Sequence, residues 1–179
     1  MIEREKALDL ETRNKLFKEI KQAPGLHFRE LKRRTSLAIG SLQYHLNYLE
    51  KHHLIRIVKG PRFTRYYPIE QGLEEQSDII GFLRQPKTKQ IIFYLIQKKK
   101  ATQKQISKAI ELGSSTTSWY LTKLVQASIA QKEKKGRKSF FSLVDEQKVK
   151  NILIAHKKSF LDELTDRFAE VWEELEVRP

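Results

Sequence analysis

Around Ser41 to Lys51 the chain reads SLQYHLNYLEK, and the side chains there that could do chemistry are a hydroxyl, two amides and an aromatic ring. Taken as a helix from about Gly40 to His53 at 100° per residue, Leu42, Leu46 and Leu49 fall in one narrow stripe, with His45 and His53 at its margins. Gly40, Gln43, Tyr44, Asn47 and Lys51 collect on the opposite face. Gln and Asn can donate to and accept from an adenine edge, Ser41 can do either, and aromatic carbon can meet a thymine methyl. Such a face suits an element entering a DNA major groove, although an ordinary solvated helix face is the plainer alternative. Other chemistry finds less support. His52 projects away from His45, and with no cysteine in the chain no thiolate can join the histidines, so His45 is expected to be a satisfied core-edge residue and no metal is expected. The seven glycines are scattered, and neither a phosphate-cradling loop nor a nucleophile-base arrangement stands out, so we expect no enzyme and no cofactor.

The elements that would position this face lie on either side of it. Upstream, HFRELKRRT (27–35) puts Phe28 and Leu31 on one side with Arg29, Lys32, Arg33 and Arg34 around them, which predicts a short helix. The intervening SLAI makes a turn whose Leu37 can cap a small core. Two short helices, a tight turn and a polar-faced second helix describe a helix-turn-helix. Downstream, LIRIV and RYYPI are β-prone, and KGPRFT between them holds a Gly-Pro turn. This predicts a hairpin with Lys59, Arg62 and Arg65 at or beside its tip. With Arg33, Arg34 and Lys51, they are candidate contacts to phosphates, which position a protein without reading sequence. The cluster Phe63, Tyr66 and Tyr67 could hold an effector or form the core of the hairpin.

The chain then repeats itself. A shift of 75 aligns Leu31 with Ile106, Leu37 with Leu112, Leu46 with Leu121, Leu49 with Leu124 and Leu54 with Ile129, and brings Tyr44 onto Trp119. Small length changes at the loops would bring Leu16-Phe17 onto Ile92-Phe93, Gly60 onto Gly136, and Tyr66-Tyr67 onto Phe140-Phe141. The aligned positions are the expected core positions. In the second copy the helix 115–126 would present Ser115, Ser118, Trp119 and Thr122 to bases, and KKGRK would place Lys134, Lys135, Arg137 and Lys138 on the backbone. Trp119 is either a contact residue or covered by a neighbouring element.

Both units resemble the winged helix-turn-helix domains of bacterial and archaeal transcriptional regulators. The run Leu37, Leu42, Tyr44, His45, Leu46, Leu49, repeated as Leu112, Thr117, Trp119, Tyr120, Leu121, Leu124, is similar to the recognition-helix pattern of the ArsR and MarR-like groups. The tandem arrangement, over about residues 14–145, resembles archaeal regulators with two winged helices in one chain. The resemblance implies a transcriptional regulator that binds double-stranded DNA. Winged helices also serve as protein-interaction modules, so docking to the transcription machinery, or nucleic-acid binding without sequence readout, are the alternatives. ArsR-type metal sensors use cysteine thiolates, which this chain lacks.

The expected fold is therefore mainly α with small β-hairpin wings (α+β). Residues 1–75 would form one winged helix-turn-helix domain, 76–145 a second, and 146–179 a long C-terminal helix. At about 65 residues each unit is near the low end for independent folding, so packing of the two on each other or on a shared helix is expected. Net charge is +13, yet residues 161–179 carry −5, which leaves +18 on the first 160, the footprint of a polyanion binder. No apolar run spans a bilayer, and MIEREKALDLETRNKLFKEI lacks the apolar stretch of a secretory signal, so a cytoplasmic protein without membrane contact is expected. From Val149, the residues Leu153, His156, Phe160, Leu164, Phe168, Val171 or Trp172, and Leu175 follow in steps of three and four and make one stripe along a helix of about thirty residues. Two such stripes would bury each other in a homodimer, or one would fold back across a monomer.

Overall fold

The computed structural model describes residues 10–60 and 63–161. Helix α1 (Glu11–Gln22) leads to a two-residue strand β1 (Leu26–His27), then α2 (Phe28–Thr35), α3 (Ile39–Lys51), β2 (Ile55–Lys59) and β3 (Thr64–Pro68). Helix α4 (Ser77–Leu83) follows. The series then recurs as α5 (Pro86–Lys98), β4 (Ala101–Thr102), α6 (Gln103–Ala109), α7 (Ser114–Gln126), β5 (Ala130–Lys135) and β6 (Lys138–Leu143). Helices α8 (Glu146–Ala155) and α9 (Lys157–Leu161) complete the described chain. The chain divides into two compact units, Met1–Gly81 and Phe82–Pro179.

In the first unit the leucine stripe of α3 is the core. Leu42, Leu46 and Leu49 are fully buried together with Leu16 and Ile20 of α1, Leu26, Leu31 and the hairpin's Ile55 and Tyr66, with Leu37 and Phe28 packed at the edge. Local chemistry sets the helix ends. His27 caps α2 by accepting from the Glu30 N–H at 3.3 Å, and Ser36 ends it in the left-handed region at φ 57°, its N–H donating to Lys32 O. In the second unit Thr102 and Gln105 form a full capping box on α6.

The two units match at a constant offset of 75. Leu26↔Tyr66 and Lys59↔Thr64 in one sheet correspond to Ala101↔Phe141 and Lys134↔Ser139 in the other. No length change at the loops is needed. Tyr66 therefore corresponds to Phe141, not Phe140, and Leu16 to Ile91, not Ile92. The difference matters because a one-residue slip in a strand exchanges its two faces. Each hairpin also gains a third strand, in the orders β1-β3-β2 and β4-β6-β5, which two residues of sequence could not announce.

Three sequence expectations need correction. Arg65 is not at the wing tip for phosphate. It is buried, and its Nη1 donates to the Gly25 carbonyl at 2.7 Å, because β3 is the central strand and is covered on both faces. Gly25 is required there: it sits at φ +80°, and a Cβ would lie 2.9 Å from Ile80 Cγ2. The C-terminal stripe is not one continuous helix, since the backbone breaks at His156 between α8 and α9. Leu153 and Phe160, assigned to a dimer surface, are fully buried within the chain. The Arg84 guanidinium lies 4.4 Å from the Phe160 ring centroid and donates to Ser159 O and Oγ. Leu164, Phe168, Trp172 and Leu175, and Arg62 of the first wing, lie outside the described residues. Tyr66 and Tyr67 are buried, the Tyr67 hydroxyl donating to Ser77 O at 3.0 Å, so both belong to the core rather than to an open effector pocket.

Candidate nucleic-acid interface

Helix α3 offers the face that the leucine periodicity left over. Gln43, Tyr44, Asn47 and Lys51 are exposed and Ser41 is half-buried, while Leu42, His45, Leu46 and Leu49 point into the core. Gln43 Nε2 donates to Asn47 Oδ1 at 2.8 Å, one turn along the helix. Tyr44 is 62% exposed, and Ile39, at the start of the helix and unmarked in the sequence reading, is 60% exposed. Ala38, at the N-cap, provides no side-chain cap, so the first-turn N–H groups are open to water or to a phosphate oxygen. Arg33 and Lys59 are exposed near this element in sequence, whereas Arg34 lies 3.7 Å from Glu19. In the hairpin Phe63 stacks on His27 at 4.9 Å between ring centroids.

Beneath α3 lies a cluster the sequence did not suggest. Arg13 of α1 stacks on Tyr48 at 4.0 Å, and Tyr48 packs on His52 at 4.3 Å. His45 is buried, but its Nδ1 has no hydrogen-bond partner, so it is not the satisfied core residue expected. Burial first, and the Arg13 charge second, hold its pKa below the ordinary 6.5. The unfolded chain therefore takes up a proton near pH 6.5 that the folded chain resists. The stability present above that pH is lost as pH falls toward the folded value. Thermal unfolding from about pH 7.5 to about pH 5 should show a steeper acid loss for the wild type than for His45→Gln. Equal slopes would mean that His45 does not set this dependence.

The second unit carries a different balance. On α7, Ser115 and Thr122 are exposed, Ser118 is half-buried, and Trp119 is 44% exposed with the Lys123 ammonium 5.2 Å from its ring. Trp119 is thus only partly covered. Gln103 Nε2 donates to Ser114 O and Oγ, which ties α6 to the start of α7. The wing is the strongest cationic feature. Lys132, Lys134, Lys135, Arg137 and Lys138 are all exposed around a two-residue turn whose first residue, Gly136, sits at φ 61°, the glycine position of a II′ hairpin. The hairpin's single acid, Glu133, is paired with Lys100, which draws its pKa down and leaves the tip wholly basic. Lys132 was missed, although it belongs to the same run of lysines.

Residues 10–79 match a family model described as an N-terminal HTH domain, and residues 84–129 match one described as winged helix-turn-helix DNA-binding. The chain is a tandem of helix-turn-helix domains. It is also similar to an uncharacterized HTH-type transcriptional regulator of Methanocaldococcus jannaschii, at 29% identity over 138 residues. That alignment covers 77% of this chain and 34% of the relative, so the chain spans about a third of the relative's length. Within each helix-turn-helix, α3 and α7 occupy the recognition position, the second helix of the motif. Among the described residues no helix is long and apolar enough to cross a membrane, and no cluster of three metal-ligating side chains occurs.

Proposed function

We propose that the chain is a sequence-specific, double-stranded-DNA-binding transcriptional regulator without a catalytic role, acting in the cytoplasm. Helix α3 enters the major groove, α7 does likewise or assists, and both wings hold phosphates. The observation that carries this reading is the exposed amide-and-aromatic face of α3, backed by a rigid leucine core and joined in the same chain to an unbroken basic wing tip. The similarity to the HTH-type transcriptional regulator of Methanocaldococcus jannaschii supports the same class. A second reading, a docking module for the transcription machinery, draws on the exposed Trp119 face.

Footprinting on DNA upstream of the protein's own gene tests both. The proposed reading expects a discrete protected site. Gln43→Ala, Tyr44→Ala or Asn47→Ala should erase the preference for that site, at about 1–3 kcal/mol per lost base contact. Arg137→Ala should weaken all duplexes alike. A diffuse coat would mean charge without readout, and no protection at all would favour the docking module.

A further inference from the structure

We infer that Gln43 and Asn47 act as one hydrogen-bonded unit that reads an A·T base pair from its adenine side. This rests on the DNA-binding reading above and names what the α3 face takes. The two amides are exposed, one turn apart, and already bonded at 2.8 Å before any partner arrives. With Gln43 Nε2 donating to Asn47 Oδ1, the groups left over include an acceptor, Gln43 Oε1, and a donor, Asn47 Nδ2. Turning both amides over exchanges the roles and again leaves one acceptor and one donor, so the inference does not depend on which amide donates.

Adenine presents N7 as acceptor and N6–H as donor in the major groove, the complement of that pair. Guanine presents two acceptors, N7 and O6, and is met best by Arg or Lys. From Ile39 to Glu50 helix α3 carries neither, and its one lysine, Lys51, stands at the last residue. Toward the start of the helix the outward arc, Ile39, Gly40 and Tyr44, is mostly carbon. Ile39 and Tyr44 are more exposed than any other large apolar side chains among the described residues, and a thymine methyl offers them an apolar partner. Gly40 lies on the same arc, where even a Cβ would meet nothing within 4 Å, so a base edge can come close to the helix backbone. Helix α7 has no counterpart: position 118, which matches Gln43, is serine, and position 122, which matches Asn47, is threonine.

The test uses the full chain and the duplex protected in the footprint. Each A·T pair is changed in turn to G·C, for the wild type, Gln43→Ala, Asn47→Ala and the double variant. The wild type should lose roughly 5- to 150-fold at one pair or two adjacent pairs. Each single variant should lose that discrimination, and the double variant should lose no more than a single one. Replacing that adenine by 7-deazaadenine, which lacks the N7 acceptor, should weaken the wild type and leave the variants unmoved. Thermal unfolding of the variants, unchanged because both residues are exposed, separates lost contacts from lost fold. A G·C preference at the affected position, losses that multiply independently, or full discrimination by the variants would overturn the pair while leaving DNA reading intact. If the wild type protects no discrete site, the DNA-reading proposal fails, and this one with it.

Discussion

Duplex affinity should fall about a thousandfold as salt rises from about 50 to about 200 mM, the loss that accompanies release of counterions from some six phosphates. The cations to supply those contacts are exposed and grouped: Arg33, Lys51 and Lys59 in the first unit, and Lys134, Lys135, Arg137 and Lys138 on the second wing. Arg65, which charge alone would add to the set, is occupied with Gly25 and is expected to contribute nothing to the slope. Measuring binding constants across a salt series checks this, and Arg137→Ala should reduce the log–log slope by about one. Affinity that stays flat over the range would contradict an electrostatic grip.

Leu46→Ala should destabilise the first unit by about 2–5 kcal/mol, a large fraction of what a domain of this size possesses. Leu46 is fully buried in one core cluster with Leu16 and Ile20 of α1, Leu31 of α2 and Tyr66 of the hairpin. Its neighbour Asn47 is exposed, and Asn47→Ala should leave stability within about half a kcal/mol of wild type. Adjacent residues of one helix should therefore give opposite phenotypes, one losing the fold and the other losing the site. Denaturant unfolding of both variants, beside their binding, checks the pair. Equal stability of the two would mean that the leucine stripe is not the core.

Much of this was legible because helical and strand periods separate faces cleanly. The spacing of Leu42, Leu46 and Leu49 sufficed to place α3 within one or two residues of its observed ends and to set Gln43, Tyr44 and Asn47 outward. The shift of 75 was visible in the leucines, and the strand register extends it without a gap. What was not legible depends on contacts distant in sequence. Arg65 looks like a wing cation until β1 pairs with β3 and brings Gly25 beside it. The stripe through Leu153 and Phe160 keeps its steps of three and four across the break at His156, so periodicity gives no sign of the interruption. Nor does it show that Arg84 waits to cover Phe160. His45 sits at the stripe's margin as expected, but its unpartnered Nδ1 and the nearby Arg13 follow from how α1 packs beneath α3.

The central claim is that this chain reads DNA sequence through α3 rather than coating duplexes by charge. Selection from a pool of random duplexes by the full chain, at near-physiological salt, tests it most directly. The account predicts a discrete enriched motif that disappears when selection is repeated with Asn47→Ala. A pool that stays unenriched, or a motif unchanged by that substitution, would contradict it.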